Sequence, residues 1–301
     1  MERKIIVGLG EALWDVMPEE RKIGGAPANF AYHASQMGHE SYVVSAIGKD
    51  NWGDEVVRQL EAKGLNLMLS RVDFPTGEVN VTYKSPTEPI YDICEGSAWD
   101  NIPFTDEMKC LAERADAVCF GSLAQRSPVS RATIYRFLDS MRSEGTLKVY
   151  DINLRQNYYN REIVEESLHR SNALKINEDE IVVICRMLEL GEVDINDEES
   201  VRRIGLELMK RYNLNLVIVT CGSTCSYAIT ADCFNKEMTP KVEVVDAVGA
   251  GDSFTATFCS AYLAGKDVVT AHRLAVQVAA EVCRHAGAMP TMPAHMKEKL
   301  L

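Results

Sequence analysis

Ala117-Val118-Cys119-Phe120, then residues 130–141 at helical spacing, then Leu147-Lys148-Val149-Tyr150, follow one another at short intervals. Two short apolar runs separated by a helical segment read as strand, helix, strand, and their regular repetition argues for an α/β fold. The expected architecture is a doubly wound, mostly parallel sheet with helices on both faces. Outward from this unit the alternation continues. Toward the C-terminus, Ala173-Leu174-Lys175-Ile176 and Leu216-Val217-Ile218-Val219 are further strands, each running into a polar or small-residue turn. Alternating runs at 226–230 and 241–245 read as closing strands, and Leu274, Val278 and Val282 mark a last helix ending at Gly287. Toward the N-terminus, Ile5-Ile6-Val7-Gly8-Leu9 and 41–47 are strands, and 52–63 is a helix stopped by Gly64. One interruption stands out. The segments 77–83 and 90–93 alternate on either side of Pro86 and Pro89, as an antiparallel pair does, and Ala98-Trp99-Asp100-Asn101 follows. Such a pair must pack away from the parallel sheet. No internal repeat or composition break divides the chain, so a single domain over 1–301 is expected.

Open α/β sheets bind ligands at the carboxyl ends of their strands, and several functional side chains fall there. Asp15 follows the first strand, Arg155 follows Asp151-Ile152-Asn153-Leu154, and Glu180 lies in the first turn after Asn177. The plain alternative for each is a solvated loop charge or a dipole-stabilising acid. Gly24-Gly25-Ala26-Pro27-Ala28-Asn29 sets paired glycines before a helix start, with Asn29 in the first turn and Phe30, Ala34 and Met37 on one face. The densest signal is Asp246-Ala247-Val248-Gly249-Ala250-Gly251-Asp252-Ser253-Phe254. Small residues at a helix mouth let the backbone approach a ligand, and their free N–H groups and the helix dipole attract anions. A carboxylate in such a place is at odds with an anion. The conflict disappears where Asp252 accepts a proton from a hydroxyl while the amides hold the phosphoryl group it attacks. The plain alternative is a tight turn with Asp252 as an ordinary helix cap.

Composition narrows the partners. The chain has 301 residues, 46% hydrophobic and 25% charged, enough for a sizeable core. With 44 acidic against 32 basic residues its formal charge is −12, which argues against nucleic acid and against an anionic membrane surface. A phosphate site must then be built locally. Nine cysteines without a C-x-x-C pair, several within apolar runs, read as reduced thiols rather than a disulfide framework. Cys221 and Cys225 have no matching His/Cys pair nearby, which argues against zinc. The five-residue apolar run near the N-terminus is too short for a signal peptide, no run approaches a membrane span, and a cytoplasmic location is expected.

Two stretches together resemble the ribokinase/PfkB carbohydrate kinases. Asp246 to Asp252 is similar to that family's D-T-x-G-A-G-D signature, with Ala247 where Thr is usual, and Gly24 to Asn29 is similar to its G-G-x-x-x-N signature in the form of fructokinase-like members. The resemblance covers essentially the whole chain. It implies an ATP- and Mg2+-dependent sugar kinase with a small antiparallel β lid formed by about 10–24 and 75–103, whose aromatic rings would either shield the sugar from water or pack in a lid-to-lid interface between subunits. It implies Asp252 as base, with Gly249, Ala250, Gly251 and Arg155 holding negative charge. The sugar would lie against Asp15, Gly24, Gly25, Asn29 and Asp252. ATP would lie along Asn177, Thr220, Gly222, Gly249 and Gly251, with magnesium near Glu180. A monovalent cation, K+ in relatives, would be held by Asp246, Val248, Val282, His285, Gly287 and Thr291. Lid-to-lid homodimers are frequent in the family. Fructose is the expected substrate. Ketodeoxygluconate, another ketose, ribose, a nucleoside such as adenosine, or a catalytically silent sugar-binding regulator are the alternatives. A nucleotide-dependent oxidoreductase would need G-x-G-x-x-G after the first strand, and Gly8-Leu9-Gly10-Glu11 does not supply it.

Overall fold

The computed structural model describes residues 3–85, 88–294 and 296–297. In chain order the first half comprises β1 (Ile5–Leu9), β2 (Leu13–Val16), β3 (Arg21–Gly24), α1 (Ala26–Gln36), β4 (Glu40–Gly48), α2 (Asn51–Ala62), β5 (Asn66–Val72), β6 (Gly77–Ser85), β7 (Glu88–Ile93), α3 (Asp106–Arg114), β8 (Ala117–Phe120) and α4 (Pro128–Ser140). The second half comprises β9 (Leu147–Asp151), α5 (Arg161–Arg170), β10 (Ala173–Asn177), α6 (Glu178–Met187), α7 (Glu198–Tyr212), β11 (Leu216–Cys221), β12 (Cys225–Ile229), β13 (Phe234–Met238), α8 (Ala250–Leu263) and α9 (Val268–Val282).

The main sheet runs β13-β12-β11-β10-β9-β8-β1-β4-β5, parallel from β11 to β5 and closed at one edge by the antiparallel β12 and β13. Its strands are apolar on both faces, as β1 shows with Ile6, Val7 and Leu9 fully buried, because helices cover both sides. The cluster holding Phe137, Ile184 and Leu208 fills one face, and the cluster holding Phe30, Phe254, Phe258 and Val278 fills the other. From β1 the chain builds outward through β4 and β5 on one side and through β8 to β11 on the other. The switch of direction therefore lies between β1 and β8, and it opens a crevice at the carboxyl ends of those strands.

The second sheet, β3-β2-β6-β7, is the expected lid. Its β2–β3 and β6–β7 pairs are antiparallel, and β2 joins β6 in parallel. Leu13, Val79, Val81 and Ile93 bury its inner face. Trp99 lies in a short 3-10 turn, Ala98–Asn101, and is fully buried against Gly77, where even a Cβ would come within 2.3 Å of the indole. Its ring therefore packs inside the protein against the small sheet. Arg126 stacks on that indole and pairs with Asp100 through two bonds of 2.8 Å, while donating to the carbonyls of Ile93 and Cys94.

Two local expectations are corrected. Residues 241–245 form no strand; the edge strand is Phe234–Met238. The N–H groups of Val245 and Asp246 go instead to the carbonyl of Cys283, which docks the segment on the turn after α9. That helix also stops at Val282, five residues before Gly287, because His285 N–H closes a tighter i to i−3 turn on the Val282 carbonyl.

Candidate active site

α8 is buried along most of its length, with Ser253 to Ala261 inside, so its N-terminus is carried into the crevice by packing on α1 and α9. Gly249 caps it at φ 80°, with no side-chain cap. A Cβ at Gly249 would sit 2.5 Å from the Ala288 carbonyl oxygen, so only glycine allows the turn after α9 to close on this loop. The Ala250 N–H turns back to the Ala247 carbonyl at 3.3 Å, and the next amides of α8 are left without a capping side chain at the crevice.

Asp252 stands in that first turn. Asn29, in the first turn of α1, donates from Nδ2 to Asp252 Oδ2 at 2.8 Å, across 223 residues of sequence. Burial, and next the Asp151 carboxylate, push the Asp252 pKa up to about 6; the bond from Asn29 and the positive charges of Lys175 and Arg155 oppose the rise. A carboxyl tuned this way is a competent general base near neutral pH. Asp15 lies on β2 of the small sheet instead of in an exposed loop, its Oδ2 so close to Gly24 that a Cβ there would clash at 2.4 Å. Burial raises its pKa to about 6 against the charge of Lys22.

The Asp151-Ile152-Asn153-Leu154-Arg155 edge is arranged differently from a loop ion pair. Asp151 is held by the buried Lys175 at 3.1 Å and by the Thr255 hydroxyl, and the Lys175 ammonium lies 3.2 Å from where a Cβ on Gly251 would be. Positive charge therefore sits directly under the helix mouth. Arg155 is exposed, donates to the Leu154 carbonyl, and lies near enough to act on the charges of Glu11 and Asp252. Glu180 is buried and accepts the N–H groups of Leu154 and Asn177, one on each oxygen, both at 2.9 Å. It clamps the Arg155 loop to the start of α6, and each oxygen keeps a lone pair.

Asn177 caps α6 and Thr220 ends beside it in register on β11. The left-handed Gly222 (φ 46°) turns the chain past Glu178, whose Oε1 would be 3.1 Å from a Cβ there. Asp246 accepts from Val248 N–H and Gly287 N–H, joining the loop before α8 to the turn after α9. Val282, His285 and Thr291 border a small neighbouring crevice, with His285 paired to Glu281 and the Thr291 hydroxyl turned to Tyr32. The six expected cation ligands thus form two adjoining groups. Among the described residues no cluster of three or more His, Cys, Asp or Glu side chains is arranged to hold a metal ion.

Residues 9–295 match the model of the pfkB family carbohydrate kinases. The chain belongs to that family. Similar curated proteins include an ATP-dependent 6-phosphofructokinase of Thermoanaerobacterium thermosaccharolyticum, 28% identical over 91% of this chain and 83% of its own length. A fructokinase of Salmonella typhimurium is 27% identical over 85% and 83%. Among solved structures, a fructokinase of Xylella fastidiosa with bound ATP superposes with a TM-score of 0.84 at 20% identity, covering 99% of this chain and 98% of its own. This sugar kinase thus carries both signatures at one crevice. The sequence reading missed one residue of that crevice. Glu11, the first acid after β1, is 3% exposed, and burial raises its pKa to about 7, with Asp252 adding to the rise. Its place directly behind a strand's carboxyl end was the available signal.

Proposed function

We propose that the protein is an ATP-dependent kinase of a small neutral sugar, most readily fructose. The observation that carries this reading is the Asn29–Asp252 hydrogen bond, which joins the two signature motifs at an uncapped helix mouth. In this reading Asp252 accepts the proton of the attacking hydroxyl, whose sugar is held by Asp15, Asn29 and the backbone at Gly24 and Gly25. The amides of Gly249, Gly251 and Asp252 hold the transferring phosphoryl group, while the Ala250 N–H is engaged by the Ala247 carbonyl, and Arg155 adds positive charge from the crevice rim. Positioning and electrostatics supply the catalysis in transfers of this kind.

The uncapped amides of α8 and the small-residue edge at Thr220, Gly222 and Asn177 fit the phosphates of ATP. Glu180 has lone pairs left to bind the waters of Mg2+, which would neutralise phosphate charge when bound. A monovalent cation at the Asp246, Val248 and Gly287 loop pair belongs to the same reading, and turnover with potassium replaced by a bulky organic cation tests it. A homodimer through the lid and a cytoplasmic location complete the reading; sedimentation of the purified protein tests the first. Among the described residues, no helix is long and apolar enough to cross a membrane.

Charge in the crevice favours a neutral acceptor. Glu11, Asp15 and Asp252 all face burial with raised pKa values, while Lys175 is already paired with Asp151. A sugar acid such as ketodeoxygluconate, or a sugar phosphate, would add negative charge to this set. ATP-dependent turnover on fructose, ribose, ketodeoxygluconate, glucose and adenosine tests the class and the acceptor together. Asp252→Asn should lower kcat by on the order of 10²–10⁴-fold with sugar KM changed only a few-fold. Sugar binding without turnover on any of them would instead indicate a silent regulator.

A further inference from the structure

Glu11 lies where β1 delivers the chain into the crevice. Its backbone carbonyl would be 2.4 Å from a Cβ on Gly25, so the residue is packed directly behind the start of α1. Gly25 itself has φ 109°, a conformation glycine adopts without strain. The residue is 3% exposed. Its Oε2 is buried without a hydrogen-bond partner. The charges it feels belong to Asp252 and Arg155, both residues of the crevice. Asn29 carries a second such atom. Its Nδ2 is committed to Asp252, while its Oδ1 is buried without a partner. Two acceptors left unsatisfied in one crevice are costly unless a ligand supplies the donors, because a buried unpaired polar group loses its hydration for nothing.

We propose that Glu11 is a substrate residue: its Oε2 and Asn29 Oδ1 accept two hydroxyls of the sugar, beside the hydroxyl that faces Asp252. The ligand chemistry this selects is a polyol with free neighbouring hydroxyls, and it rejects deoxy or O-substituted sugars. A purely structural alternative exists. The Glu11 carboxyl also interacts with the Ala26 N–H, the first amide of α1, so it could serve only to cap that helix. A cap would show in stability and would act alike on every substrate.

The inference rests on the sugar-kinase reading, and its test separates the two. Wild type, Glu11→Gln and Glu11→Leu are compared with the sugar the wild type phosphorylates best and with its monodeoxy analogues. Melting temperature and the KM for ATP are recorded alongside. For Glu11→Leu we expect kcat/KM for the parent sugar to fall by about tenfold or more, with Glu11→Gln in between, and the KM for ATP within about twofold of wild type. One deoxy analogue, poorer than the parent with wild type, should lose nothing further in Glu11→Leu. Equal kcat/KM in all three proteins would overturn the proposal. So would a loss of equal size on the parent and on every analogue, accompanied by a lower melting temperature, which is the signature of a cap. A wild type that neither phosphorylates nor binds any sugar overturns the kinase reading and this inference with it. An active wild type with indifferent variants overturns the role of Glu11 alone.

Discussion

Asp252 is an acid whose usefulness comes from what surrounds it. Burial makes its ionisation harder, and the Asn29 amide restrains that effect by donating to the charged form. On the kinase reading, kcat/KM should therefore fall below about pH 6 as Asp252 takes up a proton and stops acting as a base. Removing the donor with Asn29→Leu should move this acid limb to higher pH, apart from any loss of sugar affinity. A limb that stays in place would show that the bond does not tune the base. Glu11 and Asp252 act on each other's charge, so the limb reports the pair, and Glu11→Gln should simplify its shape.

Among the elements, the mouth of α8 and the foot of the lid are where single changes should tell most. Gly249 needs both its left-handed φ and the absence of a Cβ against Ala288, whereas a Cβ on Gly251 meets only the flexible end of Lys175. Gly249→Ala should cost on the order of 1–3 kcal/mol in urea unfolding, and clearly more than Gly251→Ala. Equal costs would mean that the turn after α9 yields easily. Beneath the lid, Arg126 and Asp100 are each only 7% exposed as side chains. Arg126→Met strands a buried carboxylate and should cost about 3–5 kcal/mol, most of it recovered in the double variant with Asp100→Asn. A double variant as unstable as the single would assign the loss to the stacking of Arg126 on Trp99 instead.

Across the whole molecule, buried acids and buried histidines pull stability in opposite directions with pH. Glu11, Asp15 and Asp252 have pKa values pushed up to about 7, 6 and 6, so between pH 7 and 4 these three groups bind more protons in the native state than in the unfolded chain. Their contribution therefore improves as pH falls through that range. His33 and His272 are held neutral by burial, with pKa values near 4. What they contribute is present above about pH 6.5 and is lost as the pH drops from there to 4. The two effects offset, and the wild-type melting temperature should change little between pH 7 and 5. The double variant Glu11→Gln with Asp252→Asn removes most of the acid side. It should melt a few degrees above wild type at pH 7.5 and decline from about pH 6.5 downward. Scanning calorimetry across that range checks both curves, and parallel curves would sink the argument.

The sequence alone determined the alternation of strands and helices, the interrupting lid, and the glycine-rich mouths of α1 and α8, because these depend on local periodicity and on backbone freedom. It marked Asp15, Asn29, Arg155, Glu180 and Asp252 as candidates. It misread 241–245, whose alternation suits a strand but whose N–H groups are taken by Cys283. Tertiary structure decided which of those residues meet. It paired Asp151 with Lys175, spent both oxygens of Glu180 on backbone amides, brought Asn29 to Asp252 across 223 residues, and buried Glu11 beside them. The reason is physical: a charge's partner, its dehydration and its pKa are set by groups from other elements, which no local pattern carries.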